Sequence, residues 1–142
     1  MVLTDAQRYR VVNVQSGTVL DLSGTNGKSV SGWKQNDGEN QQWVTLDKKT
    51  HWYIQNLDSG KYLGVADPRD LDDGTPLIGV DKPFKWKIEE HDDGTYRISV
   101  AEFPTPITVD LVKGNSKNGT LVVLWGQHDA KNQRWKFEEV EA

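Results

Sequence analysis

Cysteine is absent from the 142 residues, which excludes a disulfide framework and any thiolate metal site. Small secreted domains commonly rely on disulfides, so this absence favours a reducing compartment. Long apolar runs are missing as well. A membrane-spanning helix needs about 20 consecutive apolar residues, and nothing here approaches that, so no membrane insertion is expected. The opening "MVLTDAQRYR" has no apolar core of the kind a signal peptide carries, so a cytoplasmic location is expected. Clusters of positive charge are also lacking. With 17 Lys and Arg against 21 Asp and Glu the formal net charge is −4. The densest basic stretch is Asp47-Lys48-Lys49, so the electrostatic footprint of a nucleic-acid binder is missing.

Motifs for chemistry are equally scarce. The three histidines, His51, His91 and His128, show no metal-ligand spacing, so no metal and no cofactor are expected. There is no Gly-x-Ser-x-Gly elbow and no phosphate-binding loop. Acidic pairs such as Asp72-Asp73, Glu89-Glu90 and Asp92-Asp93 lie in turn-like stretches, whereas a glycosidase needs two carboxyls facing each other across a cleft. "DPRDLDDG" (67–74) lacks the ligand spacing and distal glutamate of a calcium loop. The chain therefore reads as a non-enzyme. No stretch shows a helical apolar stripe of useful length.

What is abundant is tryptophan, six in all, beside 13 glycines, a mixture suited to short strands and tight turns. The chain also repeats itself. Three segments begin with an aromatic residue and end in tryptophan: Tyr9 to Trp43, Trp52 to Trp86 and Tyr96 to Trp135. "NVQSG" (13–17) matches "NLDSG" (56–60), while the third copy departs at "AEFPTP". "VLDLS", "YLGVA" and "TVDLV" correspond, as do "NGKSV", "DGTPL" and "NGTLV". Asn-Gly and Asp-Gly favour hairpin turns because both residues tolerate positive φ. Each copy reads as four short strands, giving one all-β domain over 1–142 with about twelve strands, in repeats of about 8–50, 51–94 and 95–140. Three repeats are too few for a propeller. A closed threefold barrel capped by hairpins leaves fewer strand edges.

Two phrases stand out, "DGENQQW" (37–43) and "DAKNQRW" (129–135). Trp43, Trp86 and Trp135 recur at one position and are expected to form a core layer. Gln41 and Gln133 are expected to bond loop backbone. Asp21 and Asp110 are lone charges in apolar strands, each expected across a shallow pocket from its asparagine, Asn40 or Asn132. A carboxylate that accepts, an amide that both donates and accepts, and a ring suit a sugar's hydroxyls and its apolar C–H face. Their alternative role is to accept bonds from loop backbone. Trp33 and Trp125, each seven residues before its asparagine, could supply the ring or pack on the barrel. The second copy has Gly64 for the aspartate and Phe84 for the glutamine, so its site is expected to be dead.

The Gln-x-Trp pattern on a threefold, four-strand repeat resembles the ricin-B-type β-trefoil. "SGTVLDLSGTNGKS", "GENQQW" and "GTLVVLWG" are similar to the mushroom ricin-B-like lectins, in particular the Clitocybe nebularis type, over residues 9–137. The resemblance implies a lectin for terminal galactose- or N-acetylgalactosamine-type glycans, including LacdiNAc, with a cytosolic fungal defence role and a homodimer. It places an Asp, His, Gly and Asn set on Asp21, Asn36, Gly38 and Asn40, with Asn36 replacing the histidine. Gly38 would offer its backbone N–H to a ligand hydroxyl. The first-repeat carbohydrate site is thus expected at Asp21, Trp33, Asn36, Gly38, Asn40 and Gln41. A second candidate consists of Asp110, Trp125, His128 and Asn132, with Ala130 in place of the glycine. A second functional class, a protease inhibitor acting through surface loops, is also compatible with a mushroom β-trefoil.

Overall fold

The computed structural model describes residues 3–141, which form twelve strands and three single 3₁₀ turns. In chain order the strands are β1 (Gln7–Asn13), β2 (Val19–Leu22), β3 (Val30–Trp33), β4 (Trp43–Asp47), β5 (Trp52–Asn56), β6 (Tyr62–Gly64), β7 (Ile78–Val80), β8 (Trp86–Glu90), β9 (Tyr96–Val100), β10 (Ile107–Leu111), β11 (Thr120–Gly126) and β12 (Trp135–Glu139).

Six strands close a ring. β1 pairs β4, β4 pairs β5, β5 pairs β8, β8 pairs β9, β9 pairs β12, and β12 returns to β1, every pair antiparallel. The remaining strands form three hairpins, β2–β3, β6–β7 and β10–β11, one per repeat. This is the expected β-trefoil: closure removes exposed ladder edges from the barrel, and the hairpins cover one end. The strand alternation read from "YRVVNV" is present in β1, where Tyr9, Val11 and Asn13 point inward and Arg10 and Val12 are half-buried.

Trp43, Trp86 and Trp135 are fully buried, as a core layer requires. Each indole also has a polar duty. Its Nε1 donates to the carbonyl of Leu20, Leu63 or Val109, at 3.0, 2.9 and 3.2 Å. One side chain thus fills the barrel and ties each repeat's last strand to its hairpin, with its own buried N–H satisfied. Tyr9, Tyr96 and Phe137 pack edge to face beside them. No helix is long and apolar enough to cross a membrane among the described residues.

Candidate functional site

The hairpin registers define which residues are equivalent. Asp21 faces Ser31 and Val19 faces Trp33 in the first repeat. Asp110 faces Val123 and Thr108 faces Trp125 in the third. In the second, Gly64 faces Ile78 and Tyr62 faces Val80. Val80 therefore stands where the other copies have Trp33 and Trp125, a substitution that the sequence alone did not reveal.

In the first repeat a cleft of about 210 Å³ is lined by Asp21, Ser23, Gly24, Thr25, Ser31, Trp33, Asn36 and Asn40. In the third, a cleft of about 290 Å³ is lined by Asp110, Val112, Lys113, Trp125, His128 and Asn132. Each contains a single carboxylate. Trp33 and Trp125 are 40 % and 44 % exposed, so they wall the clefts instead of packing into the barrel. Pleating explains this: in β3, Val30 and Gly32 are buried and Trp33 leaves the barrel on the opposite face.

The repeated phrase acts below the cleft. Gln41 is fully buried. Its Nε2 donates to Asp21 Oδ2 (3.0 Å) and to the Lys34 carbonyl (3.0 Å), and its Oε1 accepts from the Asn36 N–H (2.9 Å). Gln133 repeats this with Asp110 Oδ2 (2.9 Å), the Gly126 carbonyl (3.0 Å) and the His128 N–H (2.9 Å). Gln41 thus holds the carboxylate and the loop together from beneath and does not line the cleft, which corrects its grouping with contact residues. Each phrase's asparagine sits in a 3₁₀ turn, Glu39–Gln41 or Lys131–Gln133. Asn40 Nδ2 donates to the Leu22 carbonyl (3.1 Å), and Asn132 Nδ2 donates to both Asp110 Oδ1 and the Leu111 carbonyl (3.1 Å each). The asparagine is therefore beside its aspartate, not across the pocket from it.

The opening aspartate of each phrase is an anchor. Arg10 from β1 reaches Asp37 at 3.2 Å, and Arg97 from β9 reaches Asp129 at 3.4 Å. Tyr53 of β5 stands at the equivalent place in the second repeat. The buried asparagine of the "NxxSG" stretch also crosses between repeats. Asn56 Nδ2 donates to the Asn40 carbonyl and Asn13 Nδ2 to the Asn132 carbonyl, each at 3.0 Å. The third repeat has Val100 there, and the second-repeat loop that Val100 would serve carries no cleft asparagine.

One expectation fails. The Gly38 N–H donates to Asn36 Oδ1 (2.9 Å), so it is occupied and does not await a ligand. The Ala130 N–H likewise donates to His128 Nδ1 (3.1 Å). Asn36 and His128 are therefore closer in chemistry than their shapes suggest: each accepts from the equivalent loop amide, through Oδ1 or Nδ1, and has a further nitrogen-bearing group, Nδ2 or Nε2, beyond that bond. His128 Nε2 is 3.6 Å from Asp110 Oδ2.

Burial pushes the Asp21 carboxyl above the ordinary carboxylate range, while hydrogen bonds from Gln41 and Asn40 pull it part of the way back. Burial likewise raises Asp110. Gln133, nearby His128 and Asn132 oppose the rise, and the charge of Asp73 adds to it. Among the described residues no group of three or more potential metal ligands is gathered.

The second repeat has lost the pocket physically. A β-carbon at Gly64 would lie 2.6 Å from Val80 Cγ2 and 3.2 Å from Phe84 Cβ. The Phe84 ring packs on Trp86 with centroids 4.8 Å apart. Apolar side chains fill the space that Asp, Gln and Trp frame elsewhere.

Residues 2–80 match the family described as ricin-type beta-trefoil lectin domain-like. No curated protein sequence matches the chain. Among solved structures, the chain is similar to the Macrolepiota procera ricin B-like lectin in complex with lactose, at 33 % identity and TM-score 0.90 over 97 % of this chain and 99 % of that one. It is also similar to the Rhizoctonia solani agglutinin, at 29 % identity and TM-score 0.86 over 99 % of each chain. A Clostridium thermocellum exo-beta-1,3-galactanase matches at 31 % identity and TM-score 0.85, over 98 % of this chain but 31 % of the enzyme. The trefoil, the paired clefts and these likenesses agree, and the chain belongs to the ricin-type β-trefoil lectin family.

Proposed function

We propose that the protein is a non-catalytic lectin whose first and third repeats each hold one terminal galactose- or N-acetylgalactosamine-type sugar. The observation that carries this is the contrast among repeats: carboxylate, amide and exposed indole line a cleft in the first and third repeats and are replaced together in the second. Asp21 and Asp110 accept from sugar hydroxyls. Asn36 Nδ2 and His128 Nε2 donate, and the Trp33 and Trp125 rings cover the apolar C–H face. One carboxylate per cleft leaves no second carboxyl to complete a glycosidase pair. The lactose held by the Macrolepiota protein supports a galactoside as the ligand class.

The resemblance to Clitocybe-type lectins implies LacdiNAc among the recognised glycans, a cytosolic fungal defence role and a homodimer, and a dimer would raise avidity for glycan-rich surfaces. The decisive experiment is a glycan array with the unmodified protein, Asp21→Ala, Asp110→Ala and the double variant, alongside papain and trypsin inhibition assays. Galactoside signal that falls with each single variant and vanishes in the double variant is expected, with no inhibition. Crystals soaked in galactoside that leave both clefts empty would overturn the reading, as would potent protease inhibition without glycan binding.

A further inference from the structure

The Asn-Gly and Asp-Gly dipeptides turn their own hairpins, but two of the three also reach a neighbouring repeat. Trp33 is bracketed by the third repeat's turn. The Gly119 N–H donates to the Gly32 carbonyl (2.9 Å), and the Lys34 N–H donates to Asn118 Oδ1 (2.8 Å). Trp125 is bracketed in the same way by the second repeat's turn. The Gly74 N–H donates to the Leu124 carbonyl (2.7 Å), and the Gly126 N–H donates to Asp73 Oδ1 (2.7 Å). In both cases the turn glycine abuts the ring: a β-carbon on Gly119 or Gly74 would stand 3.8 or 3.9 Å from Cζ3 of Trp33 or Trp125.

The remaining turn supplies an internal control. Asn26 and Gly27 occupy the equivalent position next to β7, where Val80 replaces the tryptophan. There the Gly27 N–H donates to Ser23 within its own turn (2.8 Å), and Asn26 Oδ1 accepts from Lys28 and Ser29 (2.8 and 2.9 Å). Backbone contact between hairpins recurs at this border too, where the Gly79 N–H donates to the Lys28 carbonyl (2.9 Å); among the described residues, the paired bonds of turn glycine and turn side chain occur only where a cleft tryptophan stands.

We propose that Asn118 and Asp73 are positioning residues that clamp the backbone on both sides of the neighbouring repeat's cleft tryptophan, fixing the ring against which the sugar lies. The proposal rests on the sugar-binding reading of the two clefts. A solvent-facing indole at a strand end would otherwise lose rotamer freedom on binding, and a ring already held avoids that loss. The middle repeat thus serves the third-repeat cleft although it has none of its own.

The test is a two-dimensional NMR titration with lactose that follows the Trp33 and Trp125 indole N–H signals separately. Hydrogen exchange of the Lys34 and Gly126 amides and relaxation of the two indoles are measured in the free protein. Asn118→Ala should speed Lys34 exchange, loosen the Trp33 indole and weaken lactose at the first cleft about three- to tenfold, the scale of one hydrogen bond. Asp73→Ala should do the same at Gly126 and Trp125. Asn118→Asp and Asp73→Asn, which keep the acceptor, should restore affinity, and Asn26→Ala should change neither cleft. Unchanged lactose affinity at Trp33 in Asn118→Ala, equal losses at both clefts, or an equal loss in Asn26→Ala would overturn the clamp. If lactose moves neither indole in the unmodified protein, the lectin reading fails. The clamp would then stand only if Asn118→Ala selectively mobilises the Trp33 indole, and would fall if that indole keeps its order.

Discussion

The middle third of the molecule and the two outer thirds share a scaffold and differ in everything polar at the hairpin. Trp86 does for the second repeat what Trp43 and Trp135 do for theirs, down to the indole bond to a hairpin carbonyl. Gly64, Val80 and Phe84, by contrast, pack where Asp21 and Trp33 line a cleft and Gln41 supports it from beneath. The difference separates two kinds of demand. Barrel closure needs an aromatic plug in every repeat, because a gap in any one opens the shared core. A cleft is needed only where a ligand is held, and it carries a cost, since each buried aspartate is taken partly out of water.

The comparison predicts its largest effect in the repeat without a cleft. Trp86→Ala should destabilise the whole fold by about 3–5 kcal/mol, read from the denaturant midpoint. A loss below 1 kcal/mol would mean that the middle repeat is not an equal part of the scaffold. Next, Asp21→Ala or Asp110→Ala should remove about 1.5–3 kcal/mol of sugar affinity at its own cleft, measured by calorimetry. Loss at the opposite cleft would break the picture of separate sites.

Acidification probes the same carboxylates. A protonated aspartate loses its charge-assisted acceptor role, so binding should fall as pH drops. Because burial raises both carboxyls, the fall should be centred above the ordinary aspartate value of about 3.9. Stability should run the other way. The folded state binds these protons more tightly than the unfolded chain, so each group contributes increasing stability as pH falls through its raised folded pKa toward the unfolded value. Opposite pH trends of affinity and of the aspartate contribution to stability, compared with Asp→Asn variants, would confirm the assignment.

Two smaller tests sharpen the contrast. Gly64→Asp should create no binding and should cost about 1–3 kcal/mol through overpacking against Val80 and Phe84. Gly38→Ala places a β-carbon 2.6 Å from Asn40 Oδ1 and 2.9 Å from Asn36 Oδ1. It should weaken the first cleft by up to about 1 kcal/mol and spare the third, which already carries Ala130. Site-resolved lactose titrations check both.

Most of the barrel was legible because its signals are local: alternation in "YRVVNV", turn dipeptides, and a tryptophan closing each copy. Asp21 and Asp110 were legible as lone charges in apolar strands, and Asn40 and Asn132 by their recurrence. Gln41 was grouped with the contact residues because spacing does not tell which amide faces the cleft and which lies beneath it. Gly38 was misread because its N–H is taken by Asn36 two residues earlier, a bond that depends on loop conformation. Ser23, Thr25, Val112 and Lys113 were overlooked although each follows a recognised aspartate by two to four residues. The links from Asn118 to Lys34 and from Asp73 to Gly126 span 84 and 53 positions, and no local pattern announces them.

The threefold pseudo-axis has one more consequence. Clefts in the first and third repeats stand a third of a turn apart, on separate hairpins. With both filled, a single chain bridges two glycan branches or two cells. Cross-linking would then begin at the monomer, and any self-association would extend a network already under construction.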